Sequence, residues 1–286
     1  ILAQALVRRW QITGSNNMEI GVTIRNMGDE SSADLVLGCA RAAEASGMES
    51  LWITDHVAIP PDDAEGSGGR YLDTLTTLAW LGGATERIKL GSGVLILPYR
   101  PMLPTARQVA TLQELTAGRL ILGVGAGWMK SEFRALGVER SRRGAITDKT
   151  LAFFNECFAN DEVELNGQPF LFKPRPPKPP ILVGGAPPHA LRRAAERADG
   201  WMPMARNPAE IIQAVSEYRQ LTGQLGKPNG NVTVLTGLPL EEPDKAAALL
   251  EGYRALEVDR VVVGLRYSDL RAYSELLDVL VRIAGL

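Results

Sequence analysis

Three short stretches hold the residue types that could do chemistry in this chain of 286 residues. In "WITDHV" an apolar run ends in Asp55 and His56. Only two histidines are present, His56 and His189, and a free imidazole titrates near pH 6.5, so one placed at a strand end is suited to passing a proton at neutral pH. His189 stands in the first turn of a helix, where an exposed histidine is unremarkable.

In "ILVGGAPPHALRRAAERADGW", residues 181–201, Gly184 and Gly185 separate a short apolar strand from that helix. Such glycines either permit a tight turn or let the backbone approach a ligand with its N–H groups. Pro187 and Pro188 lack an N–H, so an anion held there would meet Gly185, Ala186 and His189, a nest rather than a full phosphate loop. The third stretch, "GVGAGWMKSEF", alternates Gly123, Gly125 and Gly127. That is not the G-x-G-x-x-G spacing of a dinucleotide fold. Alternate glycines read better as room for a wide, flat ligand, with relief of crowding between converging strands as the plainer explanation.

Something must position these residues, and from Met18 onward the chain alternates strand-like and helix-like segments eight times. "MEIGVTI", "SLWITD", "IKLGSGVLIL", "RLILGVGAG", "ILVGG", "GWMPM", "NVTVLTGL" and "RVVVGL" are the strands, each followed by a segment of helical periodicity. Short, wholly apolar strands alternating with helices require a parallel sheet covered by those helices. Eight units in residues 18–286 match a (β/α)8 TIM-type barrel, typically ~250 residues. An open doubly wound sheet has the same period and is the runner-up. In a barrel, sites form at the C-terminal strand ends, which is where Ile24, Asp55, His56, Ile96, Ala126 and Gly184 fall.

Residues 163–180, "VELNGQPFLFKPRPPKPP", interrupt the rhythm before the fifth strand with an Asn-Gly turn and a proline-rich run. They read as a hairpin and rigid connector, with a lid over the barrel mouth or a partner-binding PxxP segment as alternatives. Residues 1–17 read as an upstream or appended extension, leaving 18–286 as a single barrel domain.

Composition narrows the partners. With 31 basic and 33 acidic residues there is no positive field for nucleic acid or anionic lipid, so a small-molecule substrate is expected. No apolar run approaches the ~20 residues that span a bilayer. Two cysteines, Cys39 and Cys157, are too few for a disulfide framework and suggest a cytoplasmic, reducing compartment.

Taken in order, "AEASGMESLWITDHVAIP", "ERIKLGSGVLILPYRPMLPTARQVATLQELTAGRLILGVGAGWMKSEF" and "PPILVGGAPPHALRRAAERADGWMP" resemble the bacterial luciferase-like superfamily, in particular its coenzyme F420-dependent oxidoreductases. The likeness runs from Met18 to about Met204 and is strongest between Gly47 and Gly137. It implies a flavin or deazaflavin in the barrel mouth, with Asp55 and His56 as the catalytic pair beside the ring, Asp55 also a cofactor contact and His56 exchanging the proton. It implies further that Gly93 and Val94 form the bulge backing the ring, often through a non-prolyl cis peptide, with Ile24 and Ile96 at the neighbouring strand ends as cofactor contacts. Ala126, Gly127 and Ser131 would touch the cofactor, and Gly184, Gly185 and Ala186 to Pro188 would hold its phosphate. One departure matters: Trp128 stands where the superfamily's sugar-phosphate dehydrogenases carry a catalytic glutamate, which argues against a hexose phosphate substrate. Trp128 would instead shape the pocket, and Glu132 would pair with a basic neighbour.

Cofactor identity then decides the reaction. Carbon at the ring's fifth position restricts F420 to hydride chemistry, whereas FMN, with nitrogen there, also supports monooxygenation. Hydride exchange between F420 and a small carbonyl, alcohol or activated alkene is the first expectation, and an FMN-dependent monooxygenase served by a separate reductase the second. A phosphosugar isomerase or aldolase barrel is disfavoured, because "NVTVLTGLPLEE" and "VVVGLRYSD" lack a Gly-Gly turn before a helix. The helices at "LTTLAWLGGAT" and "VATLQEL" carry more apolar surface than a barrel needs, which suggests a homodimer.

Overall fold

The computed structural model describes residues 18–227 and 230–286. The extension expected at residues 1–17 lies outside the described residues. Ten strands occur in the order β1 (Glu19–Thr23), β2 (Ser50–Ile53), β3 (Lys89–Ile96), β4 (Leu120–Gly125), β5 (Glu162–Leu165), β6 (Gln168–Leu171), β7 (Ile181–Gly184), β8 (Gly200–Met202), β9 (Asn231–Thr236) and β10 (Arg260–Val263). Eight of them close a parallel barrel in the order β1-β10-β9-β8-β7-β4-β3-β2. Closure excludes the open doubly wound sheet. Between the strands run α1 (Ala33–Ala45), α2 (Thr74–Ala84), α3 (Met102–Leu115), α4 (Lys130–Ala135), α5 (Arg143–Ala159), α6 (His189–Arg197), α7 (Ile212–Gln224), α8 (Pro243–Ala255) and α9 (Leu270–Ala284). Side-chain oxygens mark some of the starts: Asp73 accepts from the Thr76 N–H at 2.9 Å and Asp269 from the Ala272 N–H at 2.8 Å. No helix among the described residues is long and apolar enough to cross a membrane.

The strands are apolar on both faces because both faces are buried. Every residue of β2, β4 and β10 is buried. One set packs outward against the helices, and a second set of Trp52, Ile121, Leu182, Met202 and Val262 forms a separate buried cluster. Trp52 is the largest of this cluster, and two glycines make room for it. A Cβ at Gly91 would lie 2.2 Å from the Trp52 ring, and one at Gly21 2.7 Å from its Nε1. Gly91→Ala is therefore expected to destabilise the protein by about 1–3 kcal/mol through overpacking, read as a lower midpoint in thermal unfolding.

Below this layer, at the N-terminal strand ends, charge replaces apolar packing. Arg260, 3% exposed, donates to both Glu49 oxygens at 2.8 and 2.9 Å, to Thr233 Oγ1 at 3.2 Å and to Glu19. Lys89 reaches Glu49 at 2.5 Å from the next strand. Ion pairs thus link the first residues of β1, β3 and β10 with Glu49 at this end of the barrel.

The interruption before the fifth barrel strand is the antiparallel hairpin β5–β6. Arg107 of α3 donates to the carbonyls of Lys173 and Leu171, Phe172 packs on Phe158 of α5 at 5.9 Å, and Arg175 is bonded to Asp161. These contacts pin it to the outer flank, on α3 and α5. The reading as a lid over the mouth is thus corrected, because the segment joins the bottom of α5 to the bottom of β7 and has no reason to cross the top.

Candidate active site

His56 follows β2, the β3 bulge follows next, Ala126 and Gly127 follow β4, and Gly185 follows β7; these four strands are consecutive neighbours in the barrel. The sequence-selected residues therefore share one continuous arc of the C-terminal rim. Their roles within it differ.

Asp55 is buried at 4% exposure and its carboxylate is fully engaged. Oδ1 accepts from Thr74 Oγ1 at 2.9 Å and from Arg100 at 2.7 Å; Oδ2 accepts from the Ile96 N–H at 2.8 Å and from Arg100 at 2.7 Å. Asp55 thus ties the end of β3 to the start of α2 and has no free lone pair directed at a reactant, which corrects its placement among the proton-transfer groups.

His56 is different. Its side chain is 19% exposed and its Nδ1 lies 2.9 Å from Glu132 Oε2. Tyr71 stands 5.0 Å away, tilted at 56°, and Trp128 meets the imidazole edge-on at 6.2 Å. Beside it opens a cavity of about 200 Å³ lined by His56, Val57, Ile59, Gly69, Tyr71 and Asp73. Burial opposes charge on Glu132, but the N–H groups of Val57 and Ala58, with His56 and Tyr99, outweigh it and hold the carboxyl below the usual range. Burial pushes the Tyr71 phenol up, and the Glu132 charge adds to this. The sequence leads to a basic partner for Glu132 without naming it, and the partner is His56. The sequence marked Glu132 only as an acid following Trp128 in "GWMKSEF"; nothing local marked either tyrosine.

The Gly93–Val94 peptide is cis, and the β3–β4 register shifts between Ser92 and Leu95, so the bulge lies where the resemblance implies. Both residues are half-buried at the mouth. Val94 fills the space that two missing side chains leave: a Cβ at Gly184 would lie 2.9 Å from its Cγ1, and one at Gly125 2.7 Å from its Cγ2. At Gly123 a Cβ would fall 2.1 Å from the Ser92 carbonyl oxygen. Crowding against β3, and not close approach by a ligand, explains these three glycines. Gly185 answers to a different need. Its φ of 124° is accessible to glycine and strained for other residues, and it begins the exposed turn of Ala186 and Pro188 into α6. Trp201 Nε1 donates to the Gly185 carbonyl at 2.9 Å and fixes that turn from below.

Two isoleucines are withdrawn. Ile24 is 1% exposed within the main core, and Ile96, 8% exposed, packs with Tyr99 and Phe133 behind the bulge. Ile24 is therefore corrected from a cofactor contact to a core residue: the side chain just past β1 points away from the barrel axis. Ala126 and Gly127 are half-buried on the rim, and Ser131 Oγ is buried without a hydrogen-bond partner in the first turn of α4.

The residues present fit a planar, phosphate-bearing cofactor. The exposed Gly185–Ala186 turn, the half-buried Gly93–Val94 bulge and the unpartnered Ser131 Oγ are the features that suit such a group, with the Trp52 layer packed below them. Trp128, 66% exposed, and Met204, 80% exposed, are apolar groups on the loops after β4 and β8. Among the described residues no cluster of three or more His, Cys, Asp or Glu could hold a metal ion.

Comparison with known proteins agrees with the barrel fold. The family model described as luciferase-like monooxygenase matches residues 18–275. An uncharacterised protein of Mycobacterium tuberculosis is 34% identical over 206 residues, covering 66% of this chain and 71% of its own. The F420-dependent hydroxymycolic acid dehydrogenase of the same species is 29% identical over 266 residues, covering 86% of this chain and 68% of that protein. Among solved structures, an F420-dependent secondary alcohol dehydrogenase in complex with an F420–acetone adduct superposes with a TM-score of 0.78 at 16% identity, covering 94% of this chain and 99% of that one.

Proposed function

We propose, from the premise that this chain belongs to the luciferase-like monooxygenase family, that it is an F420-dependent oxidoreductase exchanging a hydride with a small alcohol or carbonyl compound. The observation that carries the reading is His56, a half-buried imidazole lining a cavity of about 200 Å³, on the same arc of rim as the Gly93–Val94 bulge and the Gly185 turn. The similarity to an F420-dependent dehydrogenase over 86% of the chain supports F420 over FMN.

Gly93 and Val94 would back the ring, Gly185 and Ala186 would meet the phosphate, and Ser131 Oγ would bond a polar edge. When bound, the deazaflavin supplies a two-electron hydride acceptor or donor. The protein's own part is to orient the substrate in the cavity, exclude water with Tyr71 and Trp128, and carry the hydroxyl proton on His56. Asp55 contributes by fixing the chain just after the bulge, through the Ile96 N–H and the Arg100 side chain.

Titrating the purified protein with oxidised F420 and with FMN tests the cofactor, and a panel of small secondary alcohols tests the reaction. Saturable F420 binding and F420 reduction are expected. FMN binding without F420 binding would favour the alternative, a monooxygenase supplied with reduced flavin by a separate reductase.

The buried free thiols support a cytoplasmic setting. Burial pushes Cys39 up to about 11 and Cys157 up to about 12, so neither acts as a nucleophile. We propose also that the protein is a homodimer through α2 and α3, where Trp80 is 41% and Leu115 77% exposed. Light scattering is expected to give twice the 31.0 kDa chain mass, and a Trp80→Asp variant to shift toward the single-chain value.

A further inference from the structure

His56 and Glu132 are 76 residues apart in the chain and 2.9 Å apart in the fold. The Glu132 carboxylate divides its two oxygens between different tasks. Oε1 accepts the N–H groups of Val57 and Ala58 at 2.6 and 3.0 Å; Oε2 faces His56 Nδ1 and accepts from the Tyr99 hydroxyl at 2.9 Å. The carboxylate side chain has no solvent exposure.

This arrangement constrains protons as well as positions. Backbone N–H groups are obligate donors, so Oε1 is an acceptor whatever the state of the rest. An ionised carboxylate has about four lone-pair sites, which four donors fill. If Nδ1 were bare, it and the ionised carboxylate would be two acceptors facing each other at 2.9 Å, a repulsive contact at an oxygen shielded from solvent. The satisfied network therefore has the proton on Nδ1.

We propose that Glu132 is the positioning residue of His56, holding the proton on Nδ1 and so leaving Nε2 as the ring's proton-accepting atom at the cavity. The proposal rests on the dehydrogenase reading for its purpose, although not for its test. In the forward direction Nε2 would take the hydroxyl proton of an alcohol as the carbinol carbon gives up its hydride to the cofactor, and the C–O bond becomes a carbonyl. The reverse returns the same proton to the carbonyl oxygen. In both directions the Nδ1–H bond to Glu132 persists, so the negative carboxylate steadies the imidazolium formed between. The other charged and titratable groups around the ring are Tyr71 and Asp73 across the cavity and Tyr99 behind Glu132; the nearby Asp55 charge is taken up by Arg100.

The test uses the scarcity of histidine. With two in the chain, the imidazole ¹⁵N signals of His56 can be told from those of His189 by their loss in a His189→Gln variant, in protein without added cofactor. The expected result, read at a pH where the ring carries a single proton, is that proton on Nδ1. A neutral His56 protonated on Nε2 overturns the proposal outright.

Glu132→Gln provides a second arm. The amide keeps its carbonyl for Val57 and Ala58 but presents an NH₂ to the ring, and should move the proton to Nε2. A folded Glu132→Gln protein whose His56 keeps the wild-type tautomer also overturns the proposal. If that variant does not fold, the wild-type spectrum alone decides. In the alcohol assay Glu132→Gln is expected to lower kcat by about 10²-fold or more with KM little changed. Failure of wild-type protein to turn over F420 would sink the functional reading while leaving the tautomer result standing.

Discussion

Replacing Arg260 by alanine is expected to cost about 3 kcal/mol of folding free energy, the low end of what breaking a buried charged network costs. The side chain is 3% exposed and bridges β10 to Glu49 and Glu19, so its loss strands two carboxylates at the N-terminal strand ends of the barrel. Lys89, 2.5 Å from Glu49, limits the damage. In a chain of this size the loss corresponds to a fall in Tm of roughly 6–12 °C, read by calorimetry.

The same network sets an acid limb. Burial opposes charge on Glu49, but Arg260 and then Lys89 win and hold its pKa at about 2, against an ordinary 4.5. A carboxyl depressed by folding contributes stability that is full above its unfolded pKa and is lost as pH falls through the folded one. Stability from Glu49 should therefore fade between about pH 4.5 and 2. Glu19 is pushed the other way, by burial first and then by the Glu49 charge, which cancels part of that loss. In Arg260→Ala the acid limb should flatten, and denaturant titrations at several pH values would show it. A limb as steep as in wild type would mean that Arg260 is not what holds Glu49 ionised.

The largest expected effect on activity is at His56. His56→Ala should lower kcat in the alcohol assay by about 10²–10⁴-fold, the usual contribution of one positioned proton-transfer group. Cofactor affinity should change little, because the bulge and the Gly185 turn are untouched. Glu132 keeps its three other donors, so stability should fall only modestly. A parallel loss of cofactor binding would place His56 among the binding residues, and an unchanged kcat would remove it from the chemistry. Asp55→Asn is the informative contrast. It leaves Arg100 without its ionic partner and loosens the end of β3, so it should lower thermal stability and cofactor affinity as well as rate.

The barrel was legible in the sequence because both of its periodicities are local: apolar strands buried on both faces, and helices that cap and turn within a few residues. The rim residues were legible for the same reason. Once strand ends are known, Asp55, His56, Gly127 and Gly185 can only lie at one end of a parallel barrel. What local pattern does not encode is the direction of each side chain and its partner from a distant strand. Ile24 follows β1 as His56 follows β2, yet one turns into the core and the other toward the cavity. Asp55 and His56 are adjacent, and tertiary contacts assign one to Arg100 and the other to Glu132. The flank position of β5–β6 was likewise decided by Arg107 and Phe158, on helices that the hairpin's own sequence does not specify. The chain thus wrote its architecture and the gathering of these residues on one rim in short-range signals, and left their side-chain partnerships to contacts that exist only after the barrel closes.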